Sequence, residues 1–183
     1  KKRQLLSTLK DMFTFKLNRI KERNNVLKTG IDPYDTFSKI KEIAIKFTST
    51  KIFWLVESDG KNDRNVRINH PKHIELIQDL KSSAEINLHP SYGSISEVKK
   101  IQVEKEKLEK VLGRQVNGSR QHFLKLDLSK TYRALIENRF TRDFSMGFAE
   151  HSGFRSGTAR SHQWFDVLRN EVTELNIHPF VYM

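Results

Sequence analysis

Apolar residues recur every three or four positions through the first fifty residues, which is the spacing of one face of an α-helix. This pattern predicts an amphipathic helix over 5–20. After a polar stretch, it predicts a second helix that begins near Asp32-Pro33, where a capping residue precedes a proline. The positions that define the two apolar faces are Leu5, Leu9, Met12, Phe13, Leu17, Ile20, Phe37, Ile40, Ala44 and Phe47.

From residue 52 onwards, short apolar runs alternate with helical patterns. A loop rich in Asp, Asn and Gly follows the first of these runs. Strands separated by helices indicate βαβ units and a mainly parallel sheet, so the fold class is predicted to be α/β. The predicted strands cover 52–56, 84–88, 116–120, 140–146 and 173–183, and the predicted helices begin at 71, 94 and 129.

The chain has 183 residues, of which 37% are hydrophobic, and this is enough for one sizeable core. We therefore predict one domain over 1–183, in which the helices of 1–47 lead into the sheet. No apolar run approaches the length of a membrane helix, and the basic start leads into an amphipathic stretch rather than a signal sequence. The expected location is the cytoplasm or the cell envelope, with no membrane span.

The formal net charge is +11, which would suit an anionic partner. The 33 basic residues are spread among 22 acidic ones, mostly at helical spacing, so we interpret them as a solvated surface and expect no nucleic-acid partner. The chain has no cysteine, which excludes disulfides, thiolate metal sites and a cysteine nucleophile.

Polar side chains cluster where three successive predicted strands end. In parallel α/β folds ligands bind at these carboxyl ends, because loops and helix N-termini meet there. Taken singly, each residue has a structural explanation: a turn for His89, a salt bridge for Arg120, a surface loop for His151. Together, three histidines and two arginines at successive strand ends are more polar groups than a purely structural edge of the sheet needs. The other histidines, His70, His73, His162 and His178, are interpreted as capping or surface residues.

Two segments carry a resemblance to a known family. Residues 85–92, Glu-Ile-Asn-Leu-His-Pro-Ser-Tyr, and residues 118–123, Gly-Ser-Arg-Gln-His-Phe, resemble the polysaccharide deacetylase superfamily, and more narrowly a divergent polysaccharide deacetylase-like branch. The similarity runs from 32–37 to the loop over 147–157 and towards the final strand. It implies a distorted (β/α) barrel of about seven strands, incomplete in this chain, that uses a divalent metal, usually zinc, to hydrolyse N- or O-acetyl groups on sugars.

The resemblance assigns roles to individual residues. His89 matches the first histidine of the family's metal motif, but Gly93 stands where the second should be. Arg120 matches the arginine that braces the active site, with Phe123 as the aromatic member of the same motif, while His122 replaces a proline. We hypothesise that His122 supplies the second imidazole, because it follows a neighbouring strand.

The other expected site residues follow from the same resemblance. Asp143 resembles an acidic residue that the family keeps near its arginine, so Arg120 and Asp143 are the expected catalytic residues. The family's paired aspartates belong to a strand that should precede Lys1, so either the general base lies upstream in a longer protein or this chain is a fragment that cannot catalyse alone. The residues expected to bind the acetylated carbohydrate are Ser91, Tyr92, Phe123, His151 and Arg155, with Phe148 and Phe154 beside them.

Two other functions stay open. A non-catalytic carbohydrate-binding barrel is favoured by Gly93 and by the missing acidic strand. An anionic-ligand or nucleic-acid binder would follow from the positive charge, although no nucleic-acid motif is present.

Overall fold

A computed structural model describes residues 2–57, 61–95, 97 and 99–181. The chain divides into two compact units, Lys1–Ile43 and Ala44–Met183, and the division falls within a helix. The single domain over 1–183 stays a prediction. No helix in the described ranges is both long enough and apolar enough to cross a membrane.

The first unit begins with two helices where the sequence predicted one. They are α1 (Lys2–Phe13) and α2 (Leu17–Thr29). The break falls at Phe15, which has a left-handed backbone with φ of 54°. An ion pair of 2.8 Å between Arg23 and Asp11 joins the two helices. The sequence predicted that the polar stretch over 21–30 ends the first helix, but residues 21–29 belong to α2.

The other elements follow in chain order. The helix α3 begins later than predicted, because the carboxylates of Asp32 and Asp35 accept the backbone N–H groups of Tyr34 and Phe37 and form turns. The predicted start of the helix near 94 is a 3₁₀ turn instead, and Val98 of that helix lies outside the described residues. The elements are α3 (Phe37–Lys46), β1 (Lys51–Leu55), α4 (Pro71–Leu80), β2 (Glu85–His89), α5 (Lys99–Leu112), β3 (Gly118–Ser119), α6 (Leu128–Glu137), β4 (Arg142–Asp143), β5 (His162–Asp166) and β6 (Glu171–Ile177).

The six strands of the described residues form one sheet in the order β1-β2-β3-β4-β6-β5. Every pairing is parallel except β5 with β6, which is antiparallel. The predicted α/β class with a mainly parallel sheet is thereby confirmed. Within the described residues the sheet is open rather than closed into a barrel. The β5–β6 hairpin was not predicted, and Arg133 of α6 holds it through two hydrogen bonds to Asp166.

The two faces of the sheet differ in chemistry, because successive side chains of a strand point to opposite faces. One face packs apolar residues against the helices, and these apolar side chains are almost inaccessible to solvent. The other face carries Glu85, which forms ion pairs with Lys51 and Arg142. This polar face continues to the carboxyl ends of the strands. The buried apolar residues include Ile86, Leu88, Leu108, Leu135, Leu175 and Ile177.

Gly147 offers a test of the packing beyond β4. A Cβ atom at this position would lie 2.4 Å from Cε1 and Cζ of Phe180, so the ring must move if Gly147 becomes alanine. We expect Gly147→Ala to lower the free energy of unfolding by about 1–3 kcal/mol, measured by urea denaturation. Gly93→Ala is the control, because its Cβ would come no closer than 3.4 Å to the flexible end of Lys100 and 3.9 Å to the hydroxyl of Ser91. Equal stability of the two variants would contradict this packing.

Candidate functional site

Three strand ends lie side by side at one edge of the sheet. The residue His89 ends β2, Arg120 follows β3, and Asp143 ends β4. The pairing of Leu88 with Ser119, and of Ser119 with Asp143, sets their alignment. The backbone N–H of Arg120 also donates to the carbonyl of Leu88 at 3.0 Å, which extends the ladder beyond β3.

The imidazoles of His89 and His122 meet at this edge. Nε2 of His89 lies 2.7 Å from Nδ1 of His122, and the rings stand edge to face with centroids 4.8 Å apart. The other nitrogen of His89, Nδ1, lies 2.6 Å from the carbonyl oxygen of Arg120. A carbonyl only accepts hydrogen bonds, so Nδ1 of His89 is the donor. In the neutral ring, Nε2 then carries the lone pair that faces His122.

The far side of His122 also faces acceptors. Its Nε2 lies 3.3 Å from the carbonyl oxygen of Asn62 and 3.8 Å from Oδ1 of Asp63. In one tautomer Nε2 of His122 donates to these acceptors, which leaves the lone pair of Nδ1 facing that of His89 Nε2, so that a shared proton or metal ion must lie between them. In the other tautomer Nδ1–H of His122 donates directly to Nε2 of His89 at 2.7 Å, which is an ordinary hydrogen bond.

Burial keeps His89 neutral, because it lowers the pKa of this imidazole to about 4. The hydrogen bond to the carbonyl of Arg120 and the charge of Asp63 oppose this shift, while the charges of His122 and Arg120 add to it. A neutral imidazole whose other N–H donates to a backbone carbonyl is the form in which histidine binds metals.

Arg120 is held in an aromatic sandwich. Its guanidinium lies 4.4 Å from the ring centroid of Phe53 on one side and 4.4 Å from that of Phe180 on the other. Its Nε donates to the carbonyl of Phe144 at 2.9 Å. Burial lowers the pKa of Arg120, while Asp143 opposes this shift. The sandwich fixes a planar cation beside the histidine pair, because both faces of the guanidinium are covered.

Asp143 lies beneath the edge and is completely buried. Its carboxylate accepts hydrogen bonds from the hydroxyl of Ser119 at 2.9 Å and from the N–H and hydroxyl of Ser145 at 2.9 and 2.8 Å. Burial raises the pKa of Asp143 to about 6 against these hydrogen bonds. Its contacts therefore join the ends of β3 and β4, which is a positioning role rather than direct contact with a substrate.

The residues expected to bind carbohydrate separate into two groups. Tyr92 and Phe123 meet edge to face at 5.8 Å, and Arg155 donates to the carbonyl of Leu124 at 2.8 Å, so these three share the rim beside His122. Ser91 is 3% exposed, and its N–H and hydroxyl both donate to Glu104.

Burial therefore gives Ser91 a structural role. His151 is exposed and packs against Phe148, with ring centroids 6.4 Å apart.

Phe123 and Leu124 both have left-handed backbones, with φ of 55° and 53°. This conformation costs residues with a side chain roughly 1–2 kcal/mol each. Phe123 is nevertheless 63% exposed, so little burial of its ring offsets that cost. Strain of this kind is typical of functional positions.

Sequence reasoning missed two residues at this edge, Asp63 and Lys125. Asp63 is 5% exposed, and its Oδ1 accepts the backbone N–H of Tyr92 at 2.8 Å. The high content of Asp, Asn and Gly in its loop was the available signal, and we interpreted it only as a loop. Lys125 carried no signal beyond its charge.

Two histidines expected at the surface are not there. His73 is 7% exposed and accepts a hydrogen bond from Nε1–H of Trp54 at 2.7 Å, because it lies on the packed face of α4. His178 stacks on Phe144 with ring centroids 4.6 Å apart. Among the residues that the structure describes, no group of three or more His, Asp or Glu side chains is arranged to hold a metal ion.

No protein-family model matches this sequence, and a comparison with curated proteins gives no match either. Any function of this chain must therefore be inferred from the geometry and chemistry of the site.

The buried carboxyl group of Asp143 predicts a pH dependence. Its pKa of about 6 exceeds the value of about 3.9 expected in the unfolded chain, so the unfolded state loses this proton first. This group's contribution to stability falls as pH rises from about 4 to about 6 and is constant above that. Relative to the wild type, Asp143→Asn should therefore become progressively more stable across this window, measured by urea denaturation at each pH.

Asp127→Asn is the matched control. Hydrogen bonds from Ser129 and Lys130 lower the pKa of this half-exposed helix cap, so its replacement should leave the slope above about pH 5 unchanged. A constant difference between Asp143→Asn and the wild type would contradict the assignment.

Proposed function

We propose that this chain forms part of a metal-dependent hydrolase that removes acetyl groups from N- or O-acetylated sugars of a polysaccharide. In this proposal the open sheet is part of a distorted (β/α) barrel of the polysaccharide deacetylase type. The observation that carries it is the approach of His89 and His122 at the strand ends, with both outer ring nitrogens directed at acceptors.

The chemistry of the two imidazoles suits zinc. Neutral imidazole is a preferred zinc ligand, and it is commonly oriented by a hydrogen bond from its second nitrogen, as Arg120 orients His89. Zinc lies about 2.0–2.1 Å from a ligating nitrogen, so a shared ion requires the rings to separate slightly. His89 and His122 would hold the ion. A bound zinc ion supplies a Lewis acid and makes a bound water nucleophilic at neutral pH.

The neighbouring residues have distinct roles in this proposal. Arg120 is a fixed positive charge beside the pair, held by Phe53 and Phe180. Asp143 is a positioning residue that holds the end of β4 against β3. Asp63 lies on the side of His122 away from His89, so it orients His122 rather than acting as the general base.

A second candidate is a non-catalytic carbohydrate-binding domain of the same fold. It is favoured because the described residues bring together two imidazoles and no third metal ligand. In that case a shared proton, rather than zinc, would satisfy the two facing nitrogens.

Zinc titration separates the two candidates. The wild type should bind about one zinc ion per chain at the histidine pair, measured by calorimetry with the metal-free protein. His122→Gln and His89→Gln should each weaken binding at least about tenfold, because one strong ligand is lost. His70→Gln is the control, since His70 is exposed at the start of α4. Absence of zinc binding to the wild type, or equal weakening by His70→Gln, would contradict the metal assignment.

Asp63→Asn tests the orienting role. The amide keeps the oxygen that accepts from Tyr92 but removes the charge facing Nε2 of His122. Oδ1 of Asp63 lies 3.8 Å from Nε2 of His122, beyond hydrogen-bond distance, so we expect a decrease in zinc affinity of about tenfold, the lower end of the range for partners outside the metal ligands, in the same titration. Unchanged affinity would show that Asn62 alone orients His122.

A further inference from the structure

The rim beside the histidine pair presents an exposed aromatic platform. Phe123 is 63% exposed, and its ring lies 4.4 Å from that of His122 and 5.8 Å from that of Tyr92. Exposed rings of this kind stack on flat ligands, including the apolar faces of pyranose rings. The platform is therefore suited to one sugar unit next to the histidine pair.

Two cations flank this platform, and each is anchored by its neighbours. Lys125 donates to the hydroxyl of Tyr92 at 3.2 Å, and its Nζ lies 4.8 Å from the centroid of the same ring. Arg155 donates to the carbonyl of Leu124, the residue between Phe123 and Lys125. Both side chains are exposed, and within the described part of the chain neither forms an ion pair with a carboxylate.

The surrounding charges reinforce this positive rim. Lys61 and Arg64 are exposed on the loop whose Asn62 contacts His122. The acidic residues of the same segments are Asp63, which is buried and accepts from Tyr92, Asp127, which pairs with Lys130, and Glu150, which is exposed in the loop that carries Arg155. Segments 61–64, 122–127 and 147–155 therefore carry four exposed cations and two solvent-accessible acids.

We propose that this rim selects a sugar with an anionic substituent, stacked on Phe123 and paired with Lys125 and Arg155. This inference rests on the proposed function, because it places the charged unit next to the histidine pair. The shared chemistry is a negatively charged group on a pyranose ring, which a carboxylate, sulfate or phosphate would supply. Arg155 suits such groups through its planar set of donors, and Lys125 acts as a point charge.

The experiment compares three probes on the full chain by calorimetry: an O-acetylated oligouronate, its methyl ester, and a single-stranded oligonucleotide of similar charge. The oligouronate should bind about five- to tenfold more tightly than its neutral ester at low salt, because two exposed charge contacts are added. The preference should shrink at 1 M salt, where the screening length is only about 3 Å.

Two double variants test whether Lys125 and Arg155 cause the preference for the oligouronate over its methyl ester. Lys125→Gln with Arg155→Gln should remove the preference, so that the oligouronate and its methyl ester bind equally. The control pair, Lys110→Gln with Arg139→Gln, removes the same charge near the C-terminal ends of α5 and α6 and should retain the preference.

Three outcomes would overturn the proposal: no oligouronate binding, equal binding of acid and ester, or tighter oligonucleotide binding that depends on the same two residues. Zinc binding in the same samples keeps the two hypotheses apart. Zinc binding without acid preference overturns this inference alone, and acid preference without zinc binding overturns the metal assignment alone.

Discussion

The hydrogen bond from Nδ1 of His89 to the carbonyl of Arg120 links the ends of two parallel strands and determines the chemistry of the edge. It fixes the tautomer of His89, so that the lone pair of Nε2 faces His122. The parallel register makes this bond possible, because it aligns the residue after β3 with the last residue of β2. The metal-binding role proposed for the histidine pair depends on that one lone pair.

The surrounding residues hold this edge in place. The carboxylate of Asp143 accepts hydrogen bonds from the hydroxyls of Ser119 and Ser145 where β3 and β4 end. The N–H of Gln121 donates to the same Ser145 hydroxyl at 2.8 Å. The segment that leads to His122 is thereby tied to β4. The carboxylate and the two hydroxyls of this buried network have partners, whereas Oε1 of Gln121 has none among the described residues. Such a connected network restrains the segment, which is what a site needs to hold two ligands at a set separation.

Much of the fold could be predicted from the sequence, because α4, β1 and β2 have clear periodic patterns. The placement of His89 and His122 at neighbouring strand ends could also be argued from that alternation. The break at Phe15 could not, since no Gly or Pro marks it and a left-handed phenylalanine is rare. The β5–β6 hairpin was missed for a similar reason, because its turn residue with positive φ is Asn170 rather than glycine. The burial of Ser91 on Glu104 and the position of Asp63 depend on contacts between distant segments, which spacing along the chain does not encode.

The central claim is that His89 and His122 share one metal ion at the strand ends. The most direct measurement is a crystal structure of the zinc-treated protein with anomalous scattering recorded at the zinc edge. The account predicts one peak about 2.0–2.1 Å from both Nε2 of His89 and Nδ1 of His122. A map without a peak there, with the two nitrogens still in direct hydrogen-bond contact, would contradict it.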